Sequence, residues 1–145
     1  RWPVLYRVAW RLAFEDRRLL GNAVDPDLRR LNDWAAQVRR DIHKMHAFVR
    51  FKSVRDDSVE SGERYVAWHE PEHRILKLAA PFFARRFGDR PWSIFTPEGS
   101  AHWDLERLKY GPAIRKEDFR FEDEMDESWR TYYANIFNPA RINPK

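Results

Sequence analysis

Two histidines and a glutamate with the spacing of a zinc-protease motif lie near the middle of the chain, in His69-Glu70-Pro71-Glu72-His73. Such a protease carries both His side chains on one helix face, one turn apart, and its Glu acts as general base. Pro71 conflicts with that geometry, because proline is tolerated only in the first turn of a helix. We therefore expect a helix to begin at Pro71, with Glu70 and Glu72 near its positive end. The run then predicts a helix cap and not a metal site.

Further histidines and an aspartate widen the set of residues that could do chemistry. His43 and His46 lie three apart at the end of a predicted helix, where histidine is also favoured by the last carbonyl groups. Converging in one cleft, such side chains would suit a hydrolase or a base-processing enzyme, and the candidates are His43, His69, Glu72, His73, His102 and Asp104. Two or three of the histidines could hold a metal, but the position at a helix end explains His43 and His46 without one, so we expect no bound metal. We also expect no cofactor, since the chain has no Gly-rich phosphate loop and no P-loop lysine.

A second group of residues combines aromatic rings with cations, as nucleic-acid-binding surfaces do. Phe48, Arg50 and Lys52 would share one side of a strand predicted over 47–54. The same pattern would also suit a sheet with one core face and one solvated face. In the nucleic-acid interpretation the cations contact phosphates and Phe48 or Trp103 stacks on a base. The predicted contact residues are Phe48, Arg50, Lys52, Arg85, Arg86, Trp103 and Arg141.

The charge of the chain is unevenly distributed. The net charge of +4 combines +7 over residues 1–55 with −3 over residues 56–145, and the stretch 117–127 alone carries −6. A basic body with one acidic segment is compatible with a phosphate-rich partner, and equally with an Arg-rich solvated surface. No apolar run approaches the length of a membrane span, so we expect a cytoplasmic protein without a membrane partner.

Hydrophobic periodicity predicts the elements that must position these residues. Helical spacing covers the segments 4–20, 26–45, 71–87 and 123–137, and Pro81 is expected to kink or divide the third of them. Short apolar or alternating runs predict strands over 47–54, 64–68, 91–95 and 101–105, with a loop over 108–112. The first two strands are expected to pair antiparallel. The fold class predicted is α+β, with a small, mostly antiparallel sheet packed with four or five helices.

Four ordered stretches carry a family resemblance: His43–Phe51, Tyr65–Phe87, Trp92–Asp104 and Trp129–Lys145. They resemble a bacterial family labelled "probable DNA metabolism protein" and associated with DNA repair. Its members lie beside a radical-SAM protein, or are fused to a uracil-DNA-glycosylase-like domain that binds uracil-DNA. Because the family continues beyond the last stretch, the resemblance implies that residues 1–145 form a single domain of a longer chain. It supplies no catalytic residues, and the glycosylase motifs of the fused domain are absent here.

Three functions remain open from the sequence. The leading hypothesis is an accessory DNA-binding domain in bacterial DNA repair, acting with DNA and with the radical-SAM or uracil-recognising partner. The second is the enzyme described above, which leaves catalysis undecided. The third is a protein-interaction module that docks a basic partner through the acidic stretch 117–127.

Overall fold

The computed structural model describes residues 1–119 of the chain. Internal contacts divide the chain into two compact units, residues 1–41 and residues 42–145, and the division falls within the second helix. Three α-helices and five strands form the described part. The helices are α1 (Trp2–Phe14), α2 (Pro26–Phe48) and α3 (Leu76–Arg86). The strands are β1 (Lys52–Arg55), β2 (Glu63–Trp68), β3 (Trp92–Thr96), β4 (Gly99–Trp103) and β5 (Leu108–Gly111).

The first unit is a pair of helices joined by a 3-10 turn at Leu19–Gly21. Asp25 caps α2, because one of its carboxylate oxygens accepts the backbone N–H groups of Asp27 and Leu28 at 3.0 and 3.1 Å. Its other oxygen accepts a hydrogen bond of 2.7 Å from Arg11 of α1. The helices bury a small apolar core between them, made of Val4, Val8, Leu19 and Leu28.

The second unit is built on one five-stranded sheet with the order β1-β2-β3-β4-β5. Strands β2 and β3 run parallel, and every other neighbouring pair is antiparallel. Parallel neighbours need a crossover connection, and α3 supplies it. Registered residues share a face of the sheet, so Tyr65, Trp92 and Trp103 form a row across β2, β3 and β4.

Helix α3 packs on the face of the sheet that carries this aromatic row. Ala79, Ala80 and Phe83 of α3 are buried, and the ring of Phe83 meets the ring of Trp92 edge to face. The end of α2 reaches α3 through His46, whose ring stacks on Phe82 with 4.1 Å between the centroids. The opposite face of the sheet holds a second cluster, with Val66, Phe95 and Ile114 at its centre and Val54, Trp68 and Phe119 around it.

The α+β class and the mostly antiparallel sheet are confirmed, whereas residues 1–119 hold three α-helices where four or five were predicted for the chain. The helix predicted over 123–137 lies outside the described residues. The prediction for 4–20 was too long, since α1 ends at Phe14, and the helix predicted from Pro71 begins at Leu76. Pro81 lies inside α3 without dividing it.

One strand prediction and one loop prediction were also wrong. Residues 47 and 48 continue α2, and the strand predicted from residue 47 begins at Lys52. The loop predicted over 108–112 contains β5, which pairs with β4 from Leu108 to Gly111. The antiparallel pairing of the first two strands is confirmed. In the described residues, no helix is both long and apolar enough to cross a membrane.

Candidate functional site

A cavity of about 170 Å³ opens on the second unit, on the face of the sheet that carries α3. Four aromatic side chains and one arginine line it: Phe51, Tyr65, Phe87, Arg90 and Trp92. None of these residues was among the predicted contacts. The combination of four rings and a guanidinium makes this cavity the strongest candidate for a binding site in residues 1–119.

The sheet and the end of α3 position the walls of the cavity. Tyr65 and Trp92 are registered partners on the parallel strands β2 and β3, so their side chains stand next to each other on one face. Phe87 directly follows the last residue of α3, and Phe51 directly precedes β1. The rings of Phe51 and Phe87 meet at 5.6 Å, and Phe51 also lies 6.0 Å from Trp92, centroid to centroid. Such tilted and edge-on contacts are favourable for aromatic rings and fix the shape of the walls.

Arg90 brings a positive charge to the cavity. Its guanidinium carbon lies 5.0 Å from the centroid of the Tyr65 ring. Two nitrogens of the guanidinium donate to the two carboxylate oxygens of Asp89, at 3.2 and 3.0 Å. The hydrogen bonds to Asp89 raise the pKa of Arg90, so the side chain stays charged. Asp89 thereby holds the plane of the guanidinium in place.

Four exposed cations are neighbours of the aromatic wall residues in the sequence. Arg50 and Lys52 flank Phe51, and Arg85 and Arg86 immediately precede Phe87. The guanidinium of Arg86 lies 5.4 Å from the Phe87 ring, and both arginines occupy the last turn of α3, where the helix dipole favours cations. Arg50 donates to the carbonyl oxygens of residues 47 and 49 at 2.8 and 3.1 Å, and so caps the end of α2.

The predicted nucleic-acid contacts are distributed unevenly around this cavity. Arg50, Arg85 and Arg86 are sequence neighbours of its walls, whereas Lys52 is registered with Val66 and therefore lies on the opposite face of the sheet. Phe48 is different, because it ends α2 and is 66% exposed, so it shares no strand face with the cations. Trp103 is registered with Trp92, and its indole N–H donates to the carbonyl of Gly88 at 3.2 Å, which ties β4 to the turn after α3. Arg141 lies outside the described residues.

His102 lies on the opposite face of the sheet, buried between two serines. Its Nδ1 and Nε2 atoms are each 2.8 Å from a hydroxyl oxygen, that of Ser93 and that of Ser100. Burial, with the nearby charges of Arg64 and Lys109 adding to it, lowers the pKa of His102 to about 3. The ring is therefore neutral at physiological pH and bridges two strands.

The other catalytic candidates lie at separate places. His69 directly follows β2, and its backbone N–H donates to the carbonyl of Phe95 near the end of β3, whereas His102 is registered with Ser93 near the start of that strand. His69 and His102 are therefore separated by about 10 Å along the strand direction. Across the sheet they are separated by two strand spacings, which is also about 10 Å. Glu72 forms an ion pair of 2.9 Å with Lys44, and His73 lies in the bend before α3.

His43 and Asp104 complete the set of catalytic candidates. His43 is exposed on α2. Asp104 lies in the turn after β4, where burial by itself would raise the pKa of its carboxyl group. Hydrogen bonds from Lys109 and from the backbone N–H groups of Arg107 and Glu106 outweigh burial and lower the pKa of Asp104 to about 2. Within residues 1–119 no three His, Asp or Glu side chains form a group that could hold a metal ion.

Chemically, the cavity suits a flat, electron-rich group. Aromatic walls stack on planar rings, a guanidinium adds a stacking face and a charge, and the neighbouring cations attract phosphate. A sequence signal did exist, since Phe51 lies between two cations and Phe87 follows two. The alternation in 47–54 pointed to Phe48 instead, because a strand was expected where α2 continues.

Comparison with known proteins identifies a family for the chain. The profile of a family described as "Domain of unknown function (DUF4130)" matches residues 1–145. No curated protein and no solved structure matches the chain.

Proposed function

The chain belongs to the DUF4130 family, and we propose that it binds DNA through the aromatic cavity and the cations beside it. The cavity residues Phe51, Tyr65, Phe87, Arg90 and Trp92, together with Arg50, Arg85 and Arg86, form what we call the basic-aromatic surface. Arg85 and Arg86 contact phosphates, and the half-buried rings of Phe51, Tyr65 and Phe87 contact bases.

One observation carries this proposal: the same short segments supply the rings of the cavity and the exposed cations. Phosphate contacts by Lys and Arg release condensed counterions and provide most of the affinity for DNA. Aromatic side chains add sequence-tolerant stacking on bases.

The role we propose is that of an accessory domain in bacterial DNA repair. The family resemblance supports this role, and it also suggests the partner, a radical-SAM protein or a uracil-recognising domain. The placement of the catalytic candidates supports binding over catalysis, because His102 is held by two serines and lies on the other face of the sheet from the cavity.

The test is a fluorescence-anisotropy titration of single-stranded and duplex DNA with the full chain and with the double variant Arg85→Ala/Arg86→Ala. Loss of two phosphate contacts should weaken binding about tenfold at low salt and lower the slope of log K against log salt by about 2. The matched control is Arg39→Ala/Arg40→Ala, which removes an equally exposed arginine pair from α2.

The control should bind DNA nearly as well as the unaltered protein. Equal losses in the two double variants would mean that total charge and not this surface governs binding. Unchanged binding in the Arg85/Arg86 variant would overturn the assignment of the surface.

A further inference from the structure

We infer that the cavity receives a single unpaired nucleobase, so that the protein prefers DNA with an extrahelical base to fully paired duplex. The inference rests on the proposed DNA binding and adds what the site recognises. The occupant is a base within a DNA strand, held by its flat face and by the phosphates on either side.

The walls of the cavity match the chemistry of a base. Tyr65 offers its half-buried ring to a ligand, and the fully buried Trp92 stands beside it on the neighbouring strand, about 4.8 Å away, and supports it from within the core. Phe51 and Phe87, in mutual contact, close another side. A base inside a duplex is stacked between neighbours and cannot enter such a cavity, so the base must be unpaired or turned out of the helix.

The charges around the cavity select a nucleic acid over an uncharged apolar ligand. Cations lie against two separate rings of the cavity, with the guanidinium of Arg90 over Tyr65 and that of Arg86 over Phe87. A base in the cavity has one phosphate on its 5′ side and another on its 3′ side, and a pair of flanking positive regions complements that arrangement. The nearby carboxylate of Asp89 is bound by Arg90, which reduces its repulsion of phosphate.

The experiment compares two duplexes that differ in one base only. Both carry a single-nucleotide bulge, and in the second the bulged residue is an abasic tetrahydrofuran with the same backbone and charge. Stacking on aromatic side chains is worth about 1–3 kcal/mol per base. The full chain should therefore bind the bulge that has a base about tenfold more tightly than the abasic bulge.

Variants of the cavity residues test whether the aromatic walls cause this difference in affinity between the two bulged duplexes. Tyr65→Leu keeps apolar volume but removes the ring, and should abolish most of the difference while binding of the abasic duplex is unchanged. Tyr65→Phe keeps the ring and should preserve the difference. Phe87→Leu, outside the sheet, provides the same test if the substitution in β2 prevents folding.

The outcomes separate this inference from the proposed function. Salt-dependent binding of equal strength to both bulged duplexes overturns the base-binding cavity and leaves DNA binding intact. Absence of binding to every DNA at low salt overturns both. A free deoxynucleoside monophosphate that binds as tightly as the bulged duplex would make the cavity a nucleotide site and contradict recognition of a base within a strand.

Discussion

The guanidinium of Arg90 lies over the ring of Tyr65, 5.0 Å from its centroid, while Asp89 holds two of its nitrogens. Tyr65 comes from β2 and Arg90 from the connection between α3 and β3, so the contact joins segments that are far apart in the sequence. The same two residues line the cavity with three further rings. The pair therefore holds the positive charge of Arg90 against the aromatic wall of the cavity.

Replacing Arg90 by lysine should test the flat face of the guanidinium separately from its charge. Lysine keeps the positive charge but has no planar group and cannot bond both oxygens of Asp89 in the same way. We expect the preference for a base-bearing bulge to fall by about threefold, in line with a cation–π contribution of about 0.5–1 kcal/mol. The salt slope should stay the same. An altered slope with an unaltered preference would show that Arg90 acts on phosphate alone.

Phe48 and Phe51 form a matched pair for locating the site. Phe51 lines the cavity, whereas Phe48 is 66% exposed at the end of α2. Phe51→Leu should weaken binding of single-stranded DNA about fivefold or more, because one stacking wall is lost. Phe48→Leu should leave the affinity within error of the unaltered protein. Anisotropy titrations of both variants measure this, and a larger loss from Phe48→Leu would favour the strand-face arrangement predicted from the sequence.

His102 should make the stability of the fold depend on pH below neutrality. The unfolded chain protonates this histidine near pH 6.5, while the folded protein does so only near pH 3. The unfolded state therefore binds more protons between these values, and the free energy of unfolding falls as the pH drops below 6.5. At pH 5 the loss attributable to His102 should be about 2 kcal/mol.

Urea unfolding at pH 7.5 and at pH 5 measures that loss, and His102→Gln serves as the comparison. The glutamine variant should be less stable at pH 7.5, because the bonds to Ser93 and Ser100 are disturbed, and its stability should change less between the two pH values. The same pH dependence in both proteins would show that other groups cause it.

Asp25 should stabilise the first unit through two separable contributions. Its carboxylate caps α2 at Asp27 and Leu28 and also bonds Arg11. Asp25→Ser can retain the cap and loses the ion pair, while Asp25→Ala loses both. We expect the thermal midpoint followed by circular dichroism to fall by a few degrees in the serine variant and further in the alanine variant. A serine variant as unstable as the alanine variant would assign the whole effect to Arg11.

Local chemistry allowed some elements to be predicted from the sequence. Asp25-Pro26 marks the start of α2 correctly, because a cap and a proline at the first helical position act within one turn. The strand containing Tyr65 was predicted to within one residue of its bounds, and the antiparallel pairing with its partner was predicted correctly although the partner's extent was not. Pro71 misled the prediction, because α3 begins where Ile75 and Leu76 become buried against the sheet, and burial outweighs the preference of proline for a helix start.

The binding site could not be predicted because it depends on packing between distant segments. Phe51 enters the cavity only because α2 continues to Phe48 and the strand begins later than the alternation suggests. Tyr65 and Trp92 become neighbours through the parallel pairing of β2 and β3, which α3 makes possible. His102 looked like a catalytic candidate by residue type, and only the register of β3 and β4 reveals Ser93 as its partner, beside Ser100 two residues earlier on β4 itself.

The most direct test of DNA binding is the salt dependence of the affinity of the unaltered full chain for a single-stranded oligonucleotide of mixed sequence. With Arg85 and Arg86 on phosphates, log K should fall linearly with log salt with a slope of about −1.4 or steeper. A slope near zero, or no binding at low salt, would contradict the account.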